Sequence, residues 1–360
     1  MSGAIAPIPA TSATPAAPAA VVALVVPVLN EADYIVRCLD SLLAQRAPDG
    51  MTVAIIVADG GSTDRTTAIV AEMAAAHPAI RLLRNPRRLQ SAAVNLAARE
   101  AAQGVGVLLR ADAHALYPPD FVVACVDALR ESGAQSVVVP MATVGVGGFQ
   151  RAVAAAQNSR LGNGGSRHRR AGVSGFVEHG HHAAFDRRFF LSIGGYDESF
   201  SHNEDAEYDH RAMLAGGRIW MCAGATVTYF PRRDPWALAR QYVRHGAGRA
   251  RTLLTHRIRP RPRQVLPLFI LAGVALGLLG APLFPPLAAI PASYLALCLA
   301  WGVVAALRRR DPWLLAMGPA AIIIHLSWAV GFLRACMTWR RRPVPICRAD
   351  ETLVRPPPLA

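Results

Sequence analysis

Val53-Ala54-Ile55-Ile56-Val57-Ala58, followed at once by Asp59-Gly60-Gly61-Ser62-Thr63-Asp64, is the stretch that decides the fold. The apolar, largely β-branched run reads as a buried strand. The Gly-Gly pair among capping residues then closes it in a tight turn and opens a helix. The same change recurs on both sides. Upstream, Val21–Val28 reads as a strand ending in Leu29-Asn30-Glu31, and the segment after it sets Ile35, Cys38, Leu39, Leu42 and Leu43 on one helical face. Downstream come a helix to about Ala76, a short strand near Ile80–Leu83 and a helix from Ser91. A strand at Val105–Leu109 follows, closed by Arg110-Ala111-Asp112-Ala113-His114. Strands alternating with helices predict an α/β fold with a mostly parallel sheet covered on both faces. Ligands of such sheets bind beyond the carboxyl ends of the strands. Asn30-Glu31, Asp59 and Asp112 all fall there.

The remainder of the chain has a different character. Residues 1–19 are dominated by Ala, Pro, Ser and Thr and predict a disordered tail. Hydrophobic residues make up 52% of the chain, and the mean hydropathy is +0.27. The excess is concentrated: Val265–Leu307 holds no charged residue, and Pro312–Leu333 none except a possible charge on His325. At about 20 residues per crossing, the first run fits two membrane helices and the second fits one. The formal charge is +14 with no lysine at all, and Arg232–Arg263 carries ten arginines against the single acid Asp234. Placed directly before the apolar run, that segment suits an anionic lipid surface or a pyrophosphate. No nucleic-acid recognition motif accompanies the charge, so nucleic acid is not an expected partner. The six cysteines are scattered without metal-finger spacing and read as reduced thiols. No signal peptide is visible, because Val21–Leu29 lacks a basic leader and a cleavage site.

Four groups of residues share one resemblance. Val26-Pro27-Val28-Leu29-Asn30-Glu31, Asp59 to Asp64, Asn95 with Asp112, and Glu204-Asp205 together resemble the family 2 glycosyltransferases. Arg110 to His114, Leu161 to Ser166, Gly194-Gly195-Tyr196-Asp197-Glu198 and Gln241 to Gly246 bring the likeness nearest to the succinoglycan-type (ExoA-like) glucosyltransferases. It covers about residues 21–250. The resemblance implies a GT-A-like nucleotide-diphospho-sugar transferase domain at 20–250, and the arginine-rich composition that follows reads as a basic connector at 251–264. About three transmembrane helices would lie within 265–334, before a tail at 335–360.

The resemblance also distributes roles. Pro27, Asn30, Glu31, Asp59, Asn95 and Asp112 would bind the nucleotide sugar, with Asp59 taking the imide N–H of uracil. Glu31 equally suits a first-turn helix acid. The bond to the anomeric carbon breaks as charge builds on the leaving diphosphate, and a divalent cation, Mg2+ or Mn2+, is the usual remedy. The family generally shows DxD; here Arg110 stands at the first Asp, and Asp112 at the second. Asp112 and His114 are the expected metal ligands, an imidazole being better tolerated by Mn2+. Asp205 would be the base that takes the acceptor proton, with Glu204 beside it, and the like charges of Glu204 and Glu207 would raise its pKa. Glu178, Gln241 and Arg244 would lie on the acceptor or diphosphate side. His245 replaces the Trp of the QxxRW motif, which argues against processive synthesis. His179, His181 and His182 lack a Cys or acid at zinc spacing.

The expected reaction is an inverting transfer from a UDP-sugar or similar donor to a lipid-linked saccharide, at the cytoplasmic face of an inner membrane, in exopolysaccharide or envelope glycan synthesis. A polyprenyl-phosphate monosaccharide synthase and a non-catalytic scaffold of the same fold are the alternatives. The tail poses a charge problem. Under the positive-inside rule Arg257–Arg263 and Arg308–Arg310 both stay cytoplasmic if a hairpin turns near Ala281–Pro286. A third crossing then carries Arg340–Arg342 outward, against the rule, unless that segment is re-entrant or lies in the interface.

Overall fold

A computed structural model describes residues 20–101, 104–163 and 172–339. The 1–19 tail, positions 164–166 of the Leu161 loop and positions 340–360 of the C-terminal tail lie outside the described residues.

Eight strands form the main sheet. From one edge they run Ile80–Arg84, Met51–Asp59, Ala20–Val28, Val105–Arg110, His181–Asp186, Ser136–Val139, Ile219–Met221 and Gly175–Val177. The first four are mutually parallel, as the alternation of strands and helices requires. Beyond Val105–Arg110 the sheet becomes mixed: His181–Asp186 runs antiparallel to both its neighbours, and Gly175–Val177 is antiparallel to Ile219–Met221. The expectation of a mostly parallel sheet therefore holds: Ser136–Val139 and Ile219–Met221 are again parallel to each other, and His181–Asp186 and Gly175–Val177 alone run against the other six strands. Strand His181–Asp186 enters next to Val105–Arg110 without a crossover helix between parallel partners, and so carries its histidines to the end of the sheet where Arg110 and Asp112 emerge. A second sheet of three short strands, Ala115–Leu116, Val227–Tyr229 and Met141–Thr143, stands beside it.

Both faces of the main sheet are covered. On one, Val22, Leu24, Val26, Ile55 and Val57 pack with Ile35, Cys38, Leu39 and Leu42 of helix Ile35–Leu43. On the other, Ala23, Val25, Ile56 and Ala58 meet Ala93, Val94 and Ala97 of helix Gln90–Glu100, with Phe185, Phe190, Tyr196 and Tyr208 filling the far end. The five cysteines among the described residues are free thiols, four of them buried.

Helix Pro235–His256 begins on an Asp234 cap, whose carboxylate accepts from the Ala237 N–H at 2.8 Å, and continues unbroken past residue 250. The chain reverses at Arg257 and enters helix Pro262–Gly280, then helix Ala289–Arg309, and finally helix Met317–Thr338. These last three are long and apolar enough to cross a membrane. They pack at small residues: an added Cβ on Gly246 would lie 2.0 Å from the Trp328 carbonyl oxygen, and one on Gly331 would lie 1.9 Å from that of Val243. Glycine at both positions thus lets helix Met317–Thr338 lie directly on helix Pro235–His256.

Candidate active site

The loops that follow the first two strands are laced together. Asn30 takes a left-handed conformation (φ 58°), which Asn tolerates better than most residues. Its N–H donates to Ser62 Oγ at 2.9 Å, and its Oδ1 accepts from the Thr63 N–H at 2.8 Å. The Glu31 N–H donates to Thr66 Oγ1 at 2.8 Å. Asp59 is buried and accepts from the N–H groups of Gly61 and Ser62 at 3.0 and 3.1 Å and from Ser62 Oγ at 2.6 Å. Asp59 thus shapes its own turn, the role a turn aspartate plays, while Pro27 sits in register beside Ala58 at the same strand ends.

Arg110 ends the fourth parallel strand and is buried where the family's first carboxylate would stand. One amino group donates to Tyr196 Oη at 3.1 Å and to Glu204 Oε1 at 3.3 Å; the other reaches Asp112 Oδ1 at 3.4 Å. Its Nε is buried without a partner. Asp112 also accepts from Gln90 Nε2 at 2.9 Å, and its second oxygen lies 3.7 Å from His181 Nε2. Burial pushes the Asp112 carboxyl up, but Arg110 and the neighbouring imidazoles outweigh it and bring the pKa down to about 2. Burial drives His181 the other way, to about 4, so that imidazole is neutral at pH 7. His114 Nδ1 lies 3.0 Å from Glu31 Oε1; although burial opposes the charged form, Glu31 raises the His114 pKa. Asp112 and His114 suit a divalent cation only in part. Glu31 engages one nitrogen of His114, and no group of three His, Cys, Asp or Glu side chains converges as a metal cage among the described residues. A cation held by Asp112, with His114 Nε2 as second donor, would therefore need further oxygens from the bound diphosphate.

Helix Glu204–Leu214 supplies the acids opposite. It starts after Asn203, another left-handed residue, and the acids in its first turn face the positive end of the helix. Glu204 is held up by burial, with Arg110 opposing, whereas Asp205 is pulled below the carboxylate range by His179, His182 and Arg110, which outweigh its burial. This corrects the expected rise at Asp205. Glu207 points away from it and is spent on Arg211 at 2.7 Å and His256 at 3.0 Å, so it adds little repulsion.

Behind Arg110 runs a buried hydrogen-bond chain. The Tyr196 hydroxyl, accepting from Arg110, lies 2.6 Å from His182 Nδ1; His182 Nε2 lies 2.7 Å from Asp209 Oδ1; and Asp209 Oδ2 lies 2.7 Å from His179 Nδ1. One assignment of protons satisfies every link: Tyr196 donates to His182 Nδ1, and both imidazoles donate to Asp209.

The structure brings Asp59, Asn30, Glu31, His114, Asp112, Glu204 and Asp205 to one end of the sheet. Gln241 joins from the long helix, donating to Tyr229 Oη at 3.1 Å, and the Tyr229 ring meets the His114 ring edge-on. Arg244 is exposed on the same helix, and Glu178 pairs instead with Arg261. Asn95 lies apart from the donor loops: its amide is committed to the backbone of Tyr196 and to Glu198. Gln90 and Asp209 were not expected in the network, whereas His182 and Tyr196 stand in segments that the sequence already singles out. Asp209 lies four residues beyond Asp205 and so on the same helix face, a spacing that marks it.

Comparisons with known proteins bear on the family and the fold. The model of glycosyl transferase family 2 matches residues 23–194. The chain is 45% identical over 319 residues to the succinoglycan biosynthesis protein ExoA of Rhizobium meliloti (strain 1021), covering 88% of this chain and 96% of that one. The mannosyltransferase PcManGT from Pyrobaculum calidifontis, solved with GDP-Man and Mn2+, is similar in structure with a TM-score of 0.53 at 23% identity, over 87% of this chain and 86% of that one. GalNAc-T7, solved with UDP, GalNAc and Mn2+, gives 0.51 at 14% identity over 66% and 48%. These two likenesses speak to the fold.

Proposed function

Because the chain belongs to the family 2 glycosyltransferases, we propose that it moves a sugar from a nucleotide-diphospho-sugar, of the UDP type, to a lipid-linked saccharide in exopolysaccharide synthesis. One observation carries this reading: the Arg110 guanidinium joins Asp112 of the donor loops to Glu204 of the acceptor helix. The similarity to ExoA, named for succinoglycan biosynthesis, supports the exopolysaccharide assignment.

The donor's nucleotide sits against Pro27, Asn30, Glu31 and Asp59, and its diphosphate turns toward Asp112 and His114. A bound Mg2+ or Mn2+ there supplies positive charge to the leaving diphosphate. The buried Arg110 keeps Asp112 ionised and fixes its direction. Asp205 takes the proton of the acceptor hydroxyl as the new bond forms at the anomeric carbon, on the side opposite the diphosphate, which inverts the configuration. Glu204, buried and ion-paired, positions rather than reacts. Gln241 supports His114 through Tyr229, and Glu178 and Arg244 border the acceptor side.

The catalytic domain faces the cytoplasm at the inner membrane, and the hairpin Pro262–Arg309 crosses the bilayer. The third apolar helix behaves differently. Half of its apolar window is buried against protein, compared with 6% and 11% for the other two. At one end Leu314, Met317 and Ala320 pack with Val153 and Leu238; at the other Phe332 packs with Ala250 and Leu253. A helix whose two ends are tied to one domain, alongside a helix carrying Arg240, Arg244, Arg249 and Arg251, lies in the interface. The charge conflict of a third crossing then disappears.

Incubating membranes bearing the protein with labelled nucleotide sugars and extracting the lipid fraction tests the reading. Label must enter a lipid-diphospho-saccharide; label appearing only in polyprenyl-phospho-sugar would replace it with the monosaccharide synthase reaction.

A further inference from the structure

Among the described residues, five other than glycine hold a left-handed backbone, and four of them are explained by where they stand. Asn30 and Asn203 are asparagines, which tolerate that region. Arg257 and Arg310 close helices, where it is routine. Arg88, at φ 60°, is neither. A residue with a Cβ is strained there, and glycine would not be. The surroundings hold the strain in place. Asn85 is buried and spans the turn: its Nδ2 donates to the Leu89 carbonyl at 2.9 Å, and its Oδ1 accepts from the Arg87 N–H at 3.3 Å. Its own carbonyl accepts from the Arg88 N–H at 3.2 Å, and its N–H donates to the Asp59 carbonyl at 2.7 Å. The strained turn is thereby fastened to the loop that carries Asp59. Strained residues fixed in this way cluster at active sites and ligand clamps.

What the strain achieves is placement. A Cβ added to Gly60 would lie 3.3 Å from Arg88 Cα, and one on Gly61 would lie 3.9 Å from Arg88 Nε. Backbone and side chain therefore follow the Asp59-Gly60-Gly61 turn. The side chain is exposed and makes no hydrogen bond, ion pair or ring contact among the described residues. Its neighbour Arg87 is bound to Glu198, and Arg110 is committed to Tyr196, Glu204 and Asp112. The order of the sheet fixes which end of a donor Arg88 meets. It follows strand Ile80–Arg84, three places from Val105–Arg110, the strand that leads into Asp112. At about 4.8 Å per strand that separation is roughly 14 Å. The base at Asp59 lies beside Arg88, and the diphosphate at Asp112 lies across the sheet from it.

We propose that Arg88 is a donor-binding residue whose guanidinium donates to a carbonyl oxygen of the pyrimidine base, next to the imide N–H that Asp59 takes. Arginine carries five N–H donors and no acceptor, whereas an ionised carboxylate only accepts. Together they match the edge of uracil, on which a carbonyl flanks the N–H. The inference rests on the UDP-type donor of the reading above and adds the group that supplies a donor to the base. It also gives the left-handed arginine a reason: glycine would relax the turn but would leave the base carbonyl without its partner.

The test uses the full chain in nanodiscs, with calorimetry for UDP, competition against UDP for uridine, and thermal unfolding of the same samples. Arg88→Gly removes the guanidinium and the strain at once. Loss of one charge-assisted hydrogen bond amounts to roughly a tenfold change in affinity. UDP affinity is therefore expected to fall about tenfold, and uridine affinity by the same factor because the contact is to the base. The unfolding midpoint is expected to stay level or rise. A purely structural role predicts the reverse, with affinity kept and the midpoint lowered. Arg87→Gly, which removes the same charge one residue earlier, is expected to leave UDP affinity unchanged. Wild-type UDP affinity in Arg88→Gly, a loss for UDP without one for uridine, an equal loss in Arg87→Gly, or a lowered midpoint in Arg88→Gly each overturns the assignment and leaves the donor reading intact. A wild-type protein that binds no UDP overturns both.

Discussion

Arg110 and Glu204 form a 3.3 Å ion pair in which each side chain is only 6% exposed. The same guanidinium reaches Asp112 at 3.4 Å, so a single buried cation sits between the two halves of the site. Removing it strands two carboxylates in the interior. Breaking a buried pair costs about 3–5 kcal/mol, and Arg110→Met is expected to lower stability by that order in denaturant titration of the purified protein. Adding Glu204→Gln should restore part of the loss, because one stranded charge goes with it. A double variant no more stable than the single one would show that the pair is not what the mutation breaks.

Metal dependence is the second expectation. Transfer should stop with EDTA and return with Mn2+ or Mg2+, and Asp112→Ala should abolish the metal response. Undiminished turnover by Asp112→Ala in metal-free buffer would remove Asp112 from the diphosphate site.

Asp209 gives a stability prediction with a definite sign. Burial pushes its carboxyl up, but His182 and His179 outweigh burial and hold it below the ordinary range. A carboxyl depressed in the folded state contributes stability that is present above its unfolded pKa of about 3.9 and is lost as pH falls through the folded value. Asp209→Asn should therefore destabilise the protein at pH 7, with the gap to wild type narrowing as pH drops below about 4. Unfolding curves across that range measure the gap, and a gap independent of pH would contradict the assignment.

Membrane topology can be read by cysteine labelling in a cysteine-free background. Cysteines at Gly50 and Trp339 should be labelled from the same, cytoplasmic side, and one at Leu283, in the hairpin turn, from the opposite side. Labelling of Trp339 together with Leu283 would restore the third crossing.

Much of this fold was legible because its signals are local. Six apolar residues before Asp59-Gly60-Gly61 announce a strand and a turn, and the three parallel strand ends with their loop carboxylates follow. The sheet's second half was hidden, since the pairing of His181–Asp186 with both Val105–Arg110 and Ser136–Val139 is set by long-range packing. The pKa order at Glu204-Asp205 went the same way. Sequence neighbours suggested mutual repulsion, but the histidines that act on Asp205 arrive from strand His181–Asp186 and the segment leading into it, and Glu207 faces its own partners. Asn95 belongs to a recognisable motif, yet only the fold shows its amide holding the Tyr196 turn. The apolar runs were plain, whereas the packing of both ends of the third against the catalytic domain was not.

The account stands most directly on Asp205. The acceptor hydroxyl is a poor nucleophile, and general-base assistance contributes roughly 10²–10⁴-fold in rate. Turnover by Asp205→Asn should be measured with the lipid-linked acceptor, alongside donor affinity by calorimetry on the same protein. The account predicts a fall in turnover of about that size with donor affinity little changed. Near-normal turnover, or loss of donor binding by a folded protein, would contradict it.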